Sequence, residues 1–451
     1  MSEAREISLG QRYHQQVIRQ MPPYGDHALA AYVEAVGQRL ARVSDRPGLS
    51  WHFTVLDNRE VNAFALPGGY IYVNRGLLAY LNSEAELAAV LGHEIGHVTA
   101  RHAVRQHSAR TVTNVASMVL QATTGIRATG DLANILGQAV LSGYGREHEL
   151  EADRLGARYL ARAGYDPQAM IEVIGVLKNQ ELFEKQLARE EGRAARVYHG
   201  VFASHPDNDR RLQEVVSEAG RLHFSDNPQL ARDAFLPHLE GLAYGDSEAN
   251  GVVRKNLFLH KPLDFGLRFP EGWTLQNQPE RLLATAPGKK AWLELRLERL
   301  QPGQSLPDFL TAKGFKPLRN GHALQIAGHE AWRATSTVGT RFGRRTARLI
   351  VIRDGEQAFL FVGIGRESND FERFDIDFLA TARSFHPLNK EERDLAEGLH
   401  LHLITARADT RFAELARRSP LPDHAQARLR LLNGLYPDGE PQPGQRLKIV
   451  R

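Results

Sequence analysis

The run His93-Glu94-Ile95-Gly96-His97 restricts this chain more than any other feature. On an α-helix, residues four apart differ by about 40° in azimuth and one turn in rise, so both imidazoles can reach one ion. Glu94 lies about 100° around from His93. Its carboxylate can therefore take a proton from water at that ion without being a ligand. Ala89 and Val90 share the histidine side, so this face points inward, where imidazoles need partners. A catalytic zinc also needs a third protein ligand, brought by another element. The sequence contains no cysteine, so that ligand is His, Asp or Glu, and thiol nucleophiles and iron–sulfur clusters are excluded.

Glu149-Leu-Glu-Ala-Asp153 supplies the candidate. Glu149 and Asp153 are four apart on one helical face, and Ala152 and Gly156 are small enough for a second helix to pack close. Asp153, one turn further on, is placed to accept a hydrogen bond from a ligand histidine. Glu147, His148 and Glu151 are local competitors for the ligand role. The first helix starts at Ser83, with Glu86 completing a capping box, and the pattern carries it to about His107. On such a helix His102 points away from the metal side. The expected chemistry is hydrolysis of a peptide amide by activated water, with Glu94 as base and then proton donor to the leaving amine. An extended substrate can lie antiparallel along the strand Tyr70-Ile71-Tyr72-Val73, held by backbone hydrogen bonds.

The remaining text divides into three parts. Residues 1–245 read as mainly helical, with short strands around 51–73 and helices over 146–163 and from Asp166-Pro167 to about 192. Thr111–Leu141 reads as an interrupted, partly helical stretch. Residues 246–389 alternate with period two and read as an α+β domain with an antiparallel sheet. Residues 390–451 form a last small unit: helix, turn, helix, then a Pro443-Gly444 turn launching a strand. The fold class is thus α+β and multidomain. With 57 Lys+Arg against 53 Asp+Glu, the net charge of +4 gives no support to a nucleic-acid partner. No apolar run of about 18 residues offers a membrane span.

Residues 1–220 resemble the M48 family of zinc metallopeptidases, in its soluble or peripheral bacterial branch. The resemblance is carried by Asn62-Ala-Phe-Ala-Leu-Pro-Gly-Gly-Tyr-Ile-Tyr-Val73, by Ser83 through His97, by Glu149-Leu-Glu-Ala-Asp-Arg-Leu-Gly156, and by Ser204-His-Pro206 followed by Arg211. It implies a gluzincin-like core holding one zinc ion through His93, His97 and Glu149, with Glu94 as general base and Asp153 supporting a ligand histidine. It places His205 and its companion Arg211 at the site. Two roles stay open for His205: a donor to the developing oxyanion, or a fourth ligand that keeps the enzyme latent. Residues 390–451 resemble a LysM module, through Thr410–Ala416, Leu431–Leu435 and Pro443–Val450, which implies peptidoglycan as a partner. Relatives of this branch carry a secretion or lipoprotein signal. The resemblance therefore implies one ahead of residue 2, with a periplasmic or outer-membrane-attached location and peripheral membrane association. The leading expectation is an endopeptidase acting on unfolded or misfolded envelope proteins. Two alternatives are a non-proteolytic assembly or peptidoglycan-binding factor blocked by His205, and a zinc hydrolase of cell-wall peptides.

Overall fold

The computed structural model describes residues 1–105, 146–190, 229–278, 281–340, 342–421 and 423–451. These divide into two compact units. One takes the described residues of 1–245 together with Leu399–Arg451; the other is Asp246–Gly398.

In the first unit, α1 (Glu3–Gln20) and α2 (His27–Arg42) precede a small sheet, and α2 buries the stripe Leu29, Val33, Val36 and Leu40. The sheet holds β1 (His52–Leu56), β2 (Ala63–Leu66) and β3 (Tyr70–Asn74) in the order β1-β3-β2. β3 runs parallel to β1 and antiparallel to β2. The β2–β3 turn needs Gly69 in the left-handed region at φ 93°, where a side chain would also meet the Ser50 carbonyl oxygen. A short helix α3 (Arg75–Leu78) then leads to α4 (Glu84–Thr99).

Ser83 caps α4 as expected, but the Glu86 carboxylate reaches one residue further back instead of closing the expected box on the Ser83 N–H. The Glu86 N–H donates to Ser83 Oγ at 3.1 Å, and the Glu86 carboxylate accepts from the Asn82 N–H at 2.8 Å. The helix stops eight residues short of the expected end. Arg101 takes the left-handed region at φ 55°, and its guanidinium donates to Glu6 Oε2 at 2.8 Å and to the Met1 carbonyl at 2.7 Å. These contacts with Glu6 of α1 and with Met1 ahead of it hold a helix break that periodicity alone does not announce.

Two further helices complete this side of the unit, α5 (Arg146–Arg162) and α6 (Ala169–Glu190). α4 and α5 meet almost backbone to backbone. A Cβ added at Gly96 would sit 2.8 Å from the Ala152 carbonyl oxygen, and one at Gly156 3.0 Å from the His93 backbone nitrogen. Only small residues permit that approach.

The chain's last 53 residues belong to this same unit. The strand Leu399–Thr405 pairs antiparallel with both Arg446–Val450 and Ala243–Tyr244, with helices Phe412–Arg417 and Ala425–Leu432 between its two longer strands. Leu401, Leu429, Leu432, Leu447 and Val450 join the core that holds Leu87, Leu91 and Ile95 of α4. Lys448 is fully buried, and its ammonium donates to the carbonyls of Ala79 at 2.7 Å and Leu81 at 2.6 Å. Burial pulls its pKa well down against the attraction of Glu86, and burial pushes Glu86 up to about 7.

The second unit is built on a seven-stranded antiparallel sheet. The order is Arg319–Ile326, His329–Thr340, Gly343–Asp354, Gln357–Gly365, Ala291–Arg299, Arg281–Thr285, Thr274–Gln278. Period-two alternation splits its residues between two cores. Ile350 and Ile352 face the helix Ser368–Arg383 with Phe374 and Phe378, while Leu349 and Val351 face Leu306, Phe309 and Leu310. Among the described residues, no helix is long and apolar enough to cross a membrane.

Candidate metal centre

α4 and α5 bring three buried side chains to one point. The Nε2 atoms of His93 and His97 lie 3.0 Å apart, and each is 3.6 Å from a different oxygen of the Glu149 carboxylate. All the donor atoms fall within 4.8 Å of one another. Two nitrogens ligating one tetrahedral zinc at about 2.0–2.1 Å would be about 3.3 Å apart, so this donor set fits that ion. Among the described residues the set is two imidazoles and one carboxylate, which would fill three of the four positions of a tetrahedral zinc.

Each imidazole is held from behind. His93 Nδ1–H donates to Asp153 Oδ1 at 2.8 Å, which leaves the Nε2 lone pair facing the site. Behind His97 stands His102, with the two Nδ1 atoms 2.8 Å apart. His102 stays out of the donor set, as expected, but its contact with the back of His97 was not anticipated. On an unbroken helix His102 faces away, but the break at Arg101 swings it back under His97. His102 Nε2 in turn donates to Glu151 Oε2 at 3.1 Å, Arg105 donates to the same oxygen at 2.8 Å, and the His148 ring stacks 4.4 Å from His102. Burial pushes His102 down to about 4 despite the Glu151 bond. Partial burial works against ionisation of Glu151, yet the bonds from Arg105 and His102 hold it below its ordinary range. Glu147, Glu151 and His148, the rival ligands, are not in the converging set.

Residues 27–219 match the profile of Peptidase family M48. They form an M48 peptidase domain. The chain is 31% identical over 233 residues to the beta-barrel assembly-enhancing protease of Escherichia coli K12, covering 49% of this chain and 45% of that one. It is 32% identical over 199 residues to the mitochondrial metalloendopeptidase OMA1 of Schizosaccharomyces pombe, covering 44% and 54%. It is 41% identical over 129 residues to OMA1 of Arabidopsis thaliana, covering 28% and 26%. The chain spans about half the length, or less, of these curated relatives. M48 metallopeptidases use zinc, and His93, His97 and Glu149 form a possible site for it here.

In the M48 domain the expected substrate strand has to be moved. Tyr70, Ile71, Tyr72 and Val73 lie on β3, the central strand, where every one of them is paired with β1 on one side and β2 on the other. A peptide cannot add to a strand whose two edges are taken. Among the described residues no further strand pairs with the outer edge of β2, whose residues Ala63–Leu66 are all buried. Ala63 at its start lines a small apolar pocket with His93, Glu94, Leu77, Ala89 and Val90 of the central elements and Met170, Val173, Ile174 and Leu177 of α6. Ala65 and Leu66 at its end line a groove with His97. His205, Arg211 and the Thr111–Leu141 stretch lie outside the described residues.

Proposed function

We propose that this chain is a zinc-dependent endopeptidase that cleaves extended segments of unfolded or misfolded envelope proteins. The observation carrying this reading is the convergence of His93, His97 and Glu149 from two helices, with Glu94 on the same face beside His93. Zinc held there supplies a Lewis acid that lowers the pKa of a water molecule and polarises the scissile carbonyl. The rest is the work of this chain's side chains. Glu94 takes the proton from the attacking water and returns it to the departing amine nitrogen. Asp153 keeps His93 in the tautomer that presents Nε2. The outer edge of β2, which no described strand pairs, is the proposed docking line for the substrate backbone once exposed, giving weak sequence preference and favouring segments free to adopt a strand. His205 and Arg211 are assigned to the same cleft on the motif resemblance, His205 as oxyanion donor or as a latching fourth ligand.

The envelope assignment is supported by the similarity to the Escherichia coli beta-barrel assembly-enhancing protease. A periplasmic or outer-membrane-attached location follows from the same reading, as does peripheral membrane association. Peptidoglycan is proposed as a partner of residues 390–451, a reading supported by the order of strand, two helices and strand from Leu399 to Val450.

The purified chain is expected to carry about one zinc and to cleave casein, and a chelator should abolish cleavage until zinc is restored. Release of soluble fragments from peptidoglycan, without casein cleavage, would replace this reading with a cell-wall hydrolase. The pocket beside Glu94 gives a specificity prediction. Its apolar lining suits an apolar substrate side chain, and Val173→Phe fills part of it. Cleavage before or after large apolar residues should fall about tenfold relative to small ones, as read by mass spectrometry of a peptide-library digest. An unchanged profile would exclude the pocket from substrate binding.

A further inference from the structure

His97 has a more elaborate support than His93, and its logic can be read atom by atom. A carboxylate only accepts hydrogen bonds, so the His102 nitrogen facing Glu151, Nε2 at 3.1 Å, carries a hydrogen. The other nitrogen of the neutral ring, Nδ1, is then a lone pair. It faces His97 Nδ1 at 2.8 Å, a distance that requires one donor and one acceptor. His97 Nδ1 must therefore be the donor, which leaves its Nε2 lone pair for the metal centre. The opposite arrangement puts a hydrogen on His97 Nε2, and a protonated nitrogen cannot be a ligand.

We infer that Glu151 and His102 are positioning residues for the second histidine ligand: Glu151 sets the tautomer of His102, and His102 sets the tautomer and ring angle of His97. The inference rests on the zinc-site reading above. It gives the two ligand histidines different backings. His93 leans on an acidic acceptor, Asp153, and His97 on a neutral imidazole whose polarity is set by an acid one step further out. Arg105 holds that acid in place, donating to the same Glu151 oxygen at 2.8 Å. The fold assembles the pair from three places: the break at Arg101 delivers His102, the helical turn after it delivers Arg105, and α5 delivers Glu151 two residues after Glu149.

The test is zinc affinity, measured by competition with a chromophoric chelator on the full chain. His102→Ala removes the acceptor and should weaken binding about 10–100-fold. His102→Asn places a carbonyl oxygen close to where Nδ1 stands, so it should recover binding to within about threefold of the unsubstituted chain. Glu151→Ala frees His102 to present either tautomer and should cost about 3–10-fold. The visible spectrum of the cobalt-substituted protein should change in His102→Ala and return in His102→Asn. A merely structural role for His102 would not produce that rescue. Thermal unfolding of each zinc-free variant separates lost folding from lost binding. Should His102→Ala not fold, Glu151→Ala carries the test, because its side chain is 44% exposed on the helix surface. Unchanged affinity in a folded His102→Ala or Glu151→Ala, or equal losses in His102→Ala and His102→Asn, overturns the positioning role and leaves the metal site standing. Absence of zinc from the unsubstituted chain overturns the metal site itself.

Discussion

Glu94→Gln is expected to keep its zinc and lose cleavage by at least about 100-fold. The substitution preserves shape and removes the capacity to accept and return a proton. The donor set of His93, His97 and Glu149 is untouched, and Glu94 is not part of it. Buried as it is, Glu94 also lines the apolar pocket with His93, so a neutral amide of the same volume disturbs the surroundings little. Zinc content by atomic emission and initial rates on casein separate the two effects. Normal cleavage by this variant would remove Glu94 from the mechanism, and loss of zinc together with activity would make it a structural element of the site.

Ending the chain at Gly398 is expected to abolish cooperative folding of the peptidase unit, an effect as large as the unit's whole stability. Leu401, Leu429, Leu432, Leu447 and Val450 are almost wholly buried in the core shared with α4. At roughly 1.5–3 kcal/mol for each fully buried aliphatic side chain, five of them amount to about 10 kcal/mol. Domains of this kind are stable by about 5–15 kcal/mol. The truncation also strips the Lys448 ammonium from the carbonyls of Ala79 and Leu81, just ahead of the Ser83 cap of the metal-bearing helix. Circular dichroism during urea titration, with limited proteolysis alongside, checks this. A truncated chain that unfolds cooperatively at an unchanged midpoint would show that Leu399–Arg451 is dispensable to the core.

The metal face was legible in the sequence because its geometry is local. Four-residue spacing fixes which side of a helix His93 and His97 share, and the small residues Ala152 and Gly156 mark where a second helix can touch the first. What escaped depended on contacts between distant residues. Nothing in Thr99-Ala100-Arg101 signals a left-handed arginine, since the break is held by Glu6 and Met1 about a hundred residues upstream. The contact of His102 with the back of His97 was therefore not anticipated. The aromatic and β-branched run Tyr70–Val73 was correctly read as a strand, but its composition cannot say that both edges are taken. That depends on β1 and β2. The packing of the final 53 residues into the first core was hidden for the same reason: its link to the earlier chain is the two-residue strand Ala243–Tyr244, too short to carry a pattern.

That two-residue strand also fixes where the intervening segment leaves and re-enters the first unit. Tyr244 pairs with Leu399 and Ala243 with His400, so the polypeptide departs from and rejoins the peptidase unit at adjacent rungs of one ladder. Antiparallel partners stand only about 5 Å apart, a gap that a tight hairpin can bridge. Asp246–Gly398 is thus a cassette spliced into a continuous fold. Joining Tyr244 directly to Leu399 through a short turn would leave that ladder in place, so the fold of the first unit does not depend on a long connection there.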